Sequence, residues 1–260
     1  MKKALLDVLF KSDKRKDLLL LLQDGKKNME TILNKLNSNR KSLIPQIRIL
    51  EEHHLVTGSK DVYQLTRIGK LVVNEINPLL DTVQLFDNEL DYWGTHNLDF
   101  LPASLLKRLS ELRKCNVINP TLTEMYSINK EFHEAYKKSG SLFVITTFLF
   151  PNFVNLFSEL IGNNVTTYII VSDDLLHKIR KDHYDSFKLI AKSSLINFYV
   201  YPEEMGFMSF GFNNQYLLMR LLRNNKEVDD KQLLCSGSDT IRWASDFFEY
   251  YLKDSIHIEI

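Results

Sequence analysis

The chain has 260 residues, enough for one large domain or two ordinary ones, and 44% hydrophobic content with sixteen Phe can fill a real core, which excludes a disordered chain. Its longest apolar runs, such as "LFVITTFLF" at 142–150, fall far short of the roughly 20 residues that a membrane helix needs. Net charge is zero, yet residues 1–70 hold 15 Lys/Arg against 8 Asp/Glu (net +7), and residues 71–260 hold 18 against 25 (net −7).

The N-terminus, "MKKALLDVLFKSDKRKDLLLLLQDG", starts as a signal peptide does, with two lysines before apolar residues. Asp7, Lys11 and the run Lys14–Asp17 interrupt it and no small-residue cleavage site follows, so a folded, cytoplasmic segment is expected. Cys115 and Cys235 stand far apart in sequence, from which no disulfide framework and a reducing compartment are expected. The basic first quarter suggests a module that meets a polyanion, although uneven surface charge accounts for the asymmetry equally well.

Four helical stretches open the chain. Residues 3–11 are short and amphipathic, and Ser12 is placed to cap 13–24, whose leucine run must be largely buried before Gly25 stops it. Asn28 suits the N-cap of 29–36. Then "RKSLIPQIRILEEHHL" (40–55) sets Leu43, Ile47 and Leu50 on one helical face. Pro45 inside a helix costs about 3 kcal/mol, because it lacks an N–H and its ring clashes with the carbonyl four residues back. A start capped by Ser42 puts Pro45 in the first turn, where that N–H has no helical partner anyway. A helix that starts at Asn39 and kinks at Pro45 is the alternative. After it, "LVTGSKDVYQLT" (55–66) reads as a hairpin around a Gly-Ser-Lys-Asp turn.

Helix, helix, turn, helix and hairpin is the order of a winged helix-turn-helix, whose helix after the turn enters the DNA major groove. The donors on and before that helix are Asn39, Arg40, Lys41, Ser42, Gln46 and Arg48, and Lys60 on the wing is the candidate phosphate contact. A solvated helix face is the plainer reading of any one of them, and Tyr63 reads equally as packing. His53 and His54 stand at a helix C-terminus with no Cys or acidic partner at ligand spacing, so no metal is expected there.

Residues 67–93 carry a 4-3 spacing of Val72, Ile76, Leu79, Val83, Phe86, Leu90 and Trp93, a seam of about three heptads. It suits a homodimer that places two recognition helices on two half-sites, or a helix packed on its own chain. Pro78 should kink or break it. The expected architecture is an α+β winged helix-turn-helix domain at 1–70, a linker or dimerisation helix at 71–93, and an α/β sensor domain at 94–260.

In that last region, helices are expected at 102–114, 124–138, 151–161 and 173–192, and strands at 139–150, 165–172 and 196–202. A strand or hairpin at 208–222 follows, then a final helix at 236–255 with an N-capping serine region at Ser-Gly-Ser-Asp. Strands alternating with helices imply a sheet covered on both faces. Phosphate-binding glycine motifs, Gly-x-Ser-x-Gly, His-Glu-x-x-His and paired Cys-x-x-Cys are absent. A phospholipase-D-like sheet would need His-x-Lys, which none of the seven histidines supplies, so no catalysis and no cofactor is expected. Such sheets often bind ligands at strand C-terminal ends, here Thr146, Thr147 and Phe148, Ser172 and Asp173, and Tyr201. Trp93, His96, Arg223 and Trp243 combine aromatic walls with cationic or hydrogen-bonding groups, as effector pockets do, though both Trp suit a core equally.

Four segments carry a family resemblance: "LIPQIRILEEHHLV" with "YQLTRIGKLVVNEINPLL", then "WGTHNLDFLPASLLKRLSEL", and "SGSDTIRWASDFFEYYLKDS". In this order the chain resembles archaeal winged-helix transcriptional regulators with a methanogenesis-regulator type C-terminal domain. Trp93-x-x-His96 before Leu101-Pro102 belongs to the match, and Ala244 stands where the family more usually has Gly. "NNKEVDDKQLL" lacks the family's Gly-x-Tyr-Asp turn. The resemblance implies double-stranded DNA binding by the N-terminal domain, sensing of a small-molecule effector by the rest, and no catalysis. A protein-interaction scaffold is the competing reading, with a phospholipase-D-like enzyme third.

Overall fold

In the computed structural model, residues 4–121 and 128–258 are described, and the chain divides after Leu80 into two units. The first unit opens with α1 (Leu5–Phe10) and α2 (Asp13–Leu21), the latter tightening into a 3₁₀ turn at Leu22–Asp24. Gly25 then leaves the helix at φ 113°, a conformation that side chains disfavour. Leu18, Leu19 and Leu22 are buried, so the leucine run does face inward. Strand β1 (Lys27–Asn28) leads into α3 (Met29–Lys35), where the Asn28 side chain accepts from the Thr31 N–H at 2.8 Å as the expected cap.

Helix α4 spans Arg40–Glu52 and begins three residues earlier than the Ser42-capped reading. Its N-cap is Asn39, whose carbonyl oxygen accepts from the Ser42 N–H at 2.9 Å, and Leu43 N–H already donates to the Asn39 carbonyl. Asn outranks Ser little as a cap, so the earlier site wins by adding a turn of helix. Pro45 therefore lies inside α4 and deletes the bond to the Lys41 carbonyl. Both residues are exposed, which lets water take that acceptor.

Strands β2 (Val56–Ser59) and β3 (Val62–Leu65) form the expected hairpin, and β1 joins it in the order β1-β3-β2, all antiparallel. Lys60 and Asp61 sit at φ 49° and 61°, the two positive values that a tight two-residue hairpin needs. Thr66 ends the hairpin and starts α5 (Arg67–Asn88), its hydroxyl donating to the His54 carbonyl and accepting from Gly69 N–H. A Cβ on Gly69 would stand 2.0 Å from the Leu55 carbonyl oxygen, so only glycine allows this approach. Helix α5 runs through Pro78 without ending, and the division between the two units falls within it.

The second unit starts with α6 (Leu90–Thr95), the single turn α7 (Ala103–Leu106) and a 3₁₀ turn at Leu109–Leu112, where one helix over 102–114 was expected. Strand β4 (Cys115–Ile118) follows, and α8 (Lys130–Ser139) is capped by Asn129. Residues 124–127 of the expected 124–138 helix lie outside the described residues. Then come β5 (Ser141–Thr146), α9 (Phe153–Gly162), β6 (Thr166–Ser172), α10 (Asp173–Asp182), α11 (Tyr184–Ala191) and β7 (Ile196–Tyr201). The chain closes with β8 (Phe207–Phe212), β9 (Tyr216–Leu221), β10 (Gln232–Ser236), α12 (Ser238–Lys253) and β11 (Ile256–His257). Gly237 is the N-cap of α12 and makes no side-chain cap, in place of the expected serine.

Eight strands make one sheet in the order β11-β7-β6-β5-β8-β9-β10-β4, with β5, β6 and β7 parallel and the remaining pairs antiparallel. Helical crossovers between β5, β6 and β7 permit the parallel pairing, and the β8–β9 hairpin requires the antiparallel one. Alternation along each strand divides the core in two. Phe143, Ile145, Phe207, Phe210, Leu217 and Met219 pack with Trp243 and Phe247 of α12. On the opposite face Leu142, Val144, Ile169 and Phe198 pack with Phe132, Phe157, Ile179 and Phe187 from α8 to α11.

Cys115 and Cys235 are joined in a disulfide, which overturns the expectation of two separate thiols. They lie 120 residues apart in sequence, but β4 and β10 bring them directly opposite each other with 4.0 Å between their Cα atoms. Among the described residues, no helix is long and apolar enough to cross a membrane.

Candidate functional site

Helix α4 presents two faces that its sequence dictates. Leu43, Ile47 and Leu50 are buried in the first unit's core, and one turn around the helix Lys41, Pro45 and Arg48 form an exposed stripe. Of the seven sequence-picked contacts, Asn39 is spent on the cap and Ser42 bonds Asn39 and Ser38. Arg40 grips both oxygens of Asp61 at 2.6 Å, bridging the helix start to the hairpin turn. Gln46 turns inward, its Oε1 accepting from Arg15 Nη1 at 2.7 Å and from Ser12 at 3.4 Å. Lys41, Arg48 and, on the hairpin turn, Lys60 stand exposed.

Sequence reading passed over Arg15, which is 5% exposed and braces three elements. Its Nε donates to the Val8 carbonyl at 2.6 Å and Nη2 to the Asp7 carbonyl at 3.1 Å, while Nη1 holds Gln46. Its spacing with Leu18, Leu19 and Leu22 is the signal that puts it on the buried face. His53 caps the end of α4, with Nδ1 donating to the Ile49 carbonyl at 2.7 Å, and His54 takes the left-handed turn at φ 56°.

The heptad seam splits. Val72 and Ile76 are half-buried against the first unit's core, Phe86 against the second's, and Trp93 is buried. Leu79, Val83 and Leu90 remain 52%, 44% and 64% exposed.

Of the four residues picked for an effector pocket, the two Trp are packed into the second unit's core. Trp243 is fully buried, stacked on Phe247, and its indole N–H donates to the Leu105 carbonyl at 3.1 Å. Trp93 packs edge-on against Phe86 and Tyr92. His96 and Arg223 do meet, through a residue the sequence reading missed. Asp229 Oδ2 accepts from Arg223 Nε and Nη2 at 3.0 and 2.9 Å and lies 3.3 Å from His96 Nε2. The His96 ring stacks on Tyr92 at 3.8 Å and its Nδ1 donates to the Tyr92 carbonyl. Burial pushes the Asp229 carboxyl up, but bonds from the Lys231 N–H and the Arg223 guanidinium outweigh it and hold the group below its ordinary 3.8.

A cavity of about 110 Å³ lies on the other face of the sheet, between it and helices α8 to α11. Its walls are almost wholly aliphatic and aromatic, and its polar side chains are Tyr136, Thr146, Thr167, Ser209 and Arg220. Three of these form a row across strands: Thr146 pairs with Ser209, and Ser209 with Arg220. Arg220 is 3% exposed, with its guanidinium carbon 5.7 and 5.5 Å from the ring centres of Phe148 and Phe150. Burial pulls its affinity for the proton below the ordinary value, yet a guanidinium keeps its charge in proteins. Thr146 and Phe148, read from sequence as a strand end suited to ligands, do line this cavity. Among the described residues no cluster of His, Cys, Asp or Glu is suited to hold a metal.

Comparison with known proteins follows this division. Residues 3–84 match the N-terminal domain of the methanogenesis regulatory protein FilR1, and residues 125–254 match its middle domain. FilR1 of Methanothrix harundinacea (strain 6Ac) is 19% identical over 254 residues, which are 95% of this chain and 56% of the relative. The chain thus spans about half the length of that relative. TrmBL2, described as an archaeal chromatin protein with a novel mode of DNA binding, gives a TM-score of 0.42 at 13% identity, over 98% of this chain and 97% of its own. NucT from Helicobacter pylori and the phospholipase D family member Nuc from Salmonella typhimurium each give 0.40, at 9% and 12% identity, over 56% of this chain and 99% of theirs. At these scores the solved structures add nothing to the fold described above. With both domain matches in the family's order, the chain belongs to the methanogenesis regulatory protein FilR1 family.

Proposed function

We propose that this family member is a DNA-binding transcriptional regulator, with a winged helix-turn-helix in its first unit and a ligand-sensing second unit. The observation that carries the reading is the exposed Lys41-Pro45-Arg48 stripe on α4, followed by Lys60 on the hairpin turn. The net charge of +7 over residues 1–70 supports it, since cations that neutralise phosphates release bound counterions. Gln46 and Arg40 are held by Arg15 and Asp61, so Lys41, Arg48 and Lys60 carry the contact in this reading. A homodimer through the exposed Leu79, Val83 and Leu90 would set two such helices on two half-sites of duplex. A protein that reads genomic duplex works in the cytoplasm.

The test is duplex affinity against salt. Binding should weaken linearly in log salt, and Lys41→Ala should lower the slope by about 1, equally on all sequences. A slope near zero would favour the scaffold reading, for which Leu5, Leu6 and Phe10 of α1, 41%, 70% and 45% exposed, offer a surface.

A further inference from the structure

We infer that α4 reads duplex DNA through the ring of Pro45, which packs on the 5-methyl group of thymine in the major groove, a contact that rests on the DNA-binding reading above. Most groups on this face that could hydrogen-bond a base edge are already committed within the chain. Asn39 holds the Ser42 N–H, Ser42 bonds Asn39 and Ser38, Gln46 accepts from Arg15, and Arg40 grips Asp61. Ile44, the neighbouring apolar side chain, is half-buried against the first unit's core. Lys41, Pro45, Arg48 and Glu52 stand exposed along one stripe, at i, i+4, i+7 and i+11.

Each of these four meets a duplex differently. Lys41 and Arg48 stand seven residues, or about 10 Å, apart along the axis, and their long stems suit phosphates on the walls of a groove about 12 Å wide. Glu52, one turn beyond Arg48, repels phosphates and confines the contact to the turns before it. Pro45 lies between the two cations. Its ring is short, rigid and without donor or acceptor, so it distinguishes bases by apolar contact alone. Of the four bases, thymine alone presents a methyl group in the major groove. The contact also accounts for a proline in mid-helix. Proline is the least favourable residue for a helix interior, and this one is exposed, away from the core that could offset it. Local rules are broken in this way where function requires it.

Selection of duplexes from a random pool by the full chain, then anisotropy titrations with deoxyuridine in place of each thymine, tests it. Deoxyuridine keeps the base pair and removes only the methyl. At one or two neighbouring thymines it should weaken binding by about fourfold, the weight of one buried hydrocarbon group. Pro45→Gly should keep the helix, since glycine costs it less than proline does. This variant should bind the thymine duplex about fourfold more weakly, lose nothing further to deoxyuridine, and keep the salt slope of the unaltered chain. If glycine frays the helix by circular dichroism, Pro45→Ser, a better helix former without the ring, carries the same comparison. Losses from variant and deoxyuridine that multiply would mean that another residue reads the methyl. That result, a deoxyuridine scan without effect at any position, or a selection with no shared sequence would overturn the inference and leave DNA binding standing. Absence of duplex binding even at low salt would overturn both readings.

Discussion

The two faces of the eight-stranded sheet are covered by helices and lined by similar residues, yet one is filled and the other is hollow. Against α12, Trp243, Phe207 and Phe210 each pack on the Phe247 ring with centres 4.6 to 5.6 Å apart, and the disulfide lies in the same layer. Against α8 to α11, a comparable set of Phe and Leu side chains stands around a cavity. Composition alone does not distinguish the faces. Large flat rings that interlock seal one of them, while on the other the row Thr146, Ser209 and Arg220 interrupts the apolar wall. Apolar volume given up in this way costs stability, so the hollow face is where added carbon can be taken up.

The largest effect that would test this contrast is on the filled face. Trp243→Ala removes a fully buried ring and its indole bond to the Leu105 carbonyl, and should cost about 3–5 kcal/mol in chemical denaturation. A smaller and sharper comparison uses adjacent residues of β5. Ile145→Phe overfills the sealed face and should cost about 1–3 kcal/mol, while Val144→Leu on the cavity side should change stability by less than about 1 kcal/mol. Equal costs would mean that the cavity is not usable space.

Asp229 gives an effect confined to acid. Its folded carboxyl titrates below 3.8, so the stability that it contributes is complete above that pH and is lost as pH falls through the lower, folded value. The melting temperature of the unaltered chain should drop below pH 4 more steeply than that of Asp229→Asn, because only the former carries this group. The least effect concerns α4. Pro45→Ala restores a backbone bond on an exposed helix face but frees the unfolded chain, and should stabilise by about 1 kcal/mol net in thermal unfolding.

What could be read from the sequence was local. The Asn28 cap, the Lys60-Asp61 turn and the strands of the βαβ run each depend on residues within a few positions of one another, and each was found. What was missed depends on partners far away in the chain. The cysteines needed the register of β4 against β10, and Asp229 needed the 133-residue return that lays it on His96, neither of which periodicity reports. The Ser42 start failed for a subtler reason: two good capping residues stood three apart, and sequence alone did not rank them. Arg220 left a trace, as one charge in the otherwise apolar run "YLLMRLL". Strand alternation puts it on the same face as Leu218, but only strand order brings Ser209 and Thr146 alongside.

The disulfide has one more consequence, which is topological. Cys115 and Cys235 close a covalent ring that contains β5 to β9, α8 to α11 and so the whole cavity wall. A single protease cut anywhere within that ring leaves one molecule of unchanged mass apart from the added water, and fragments separate only after reduction. Electrophoresis with and without a reducing agent after brief digestion would therefore map cuts inside the ring separately from cuts in the first unit, which release peptides under either condition.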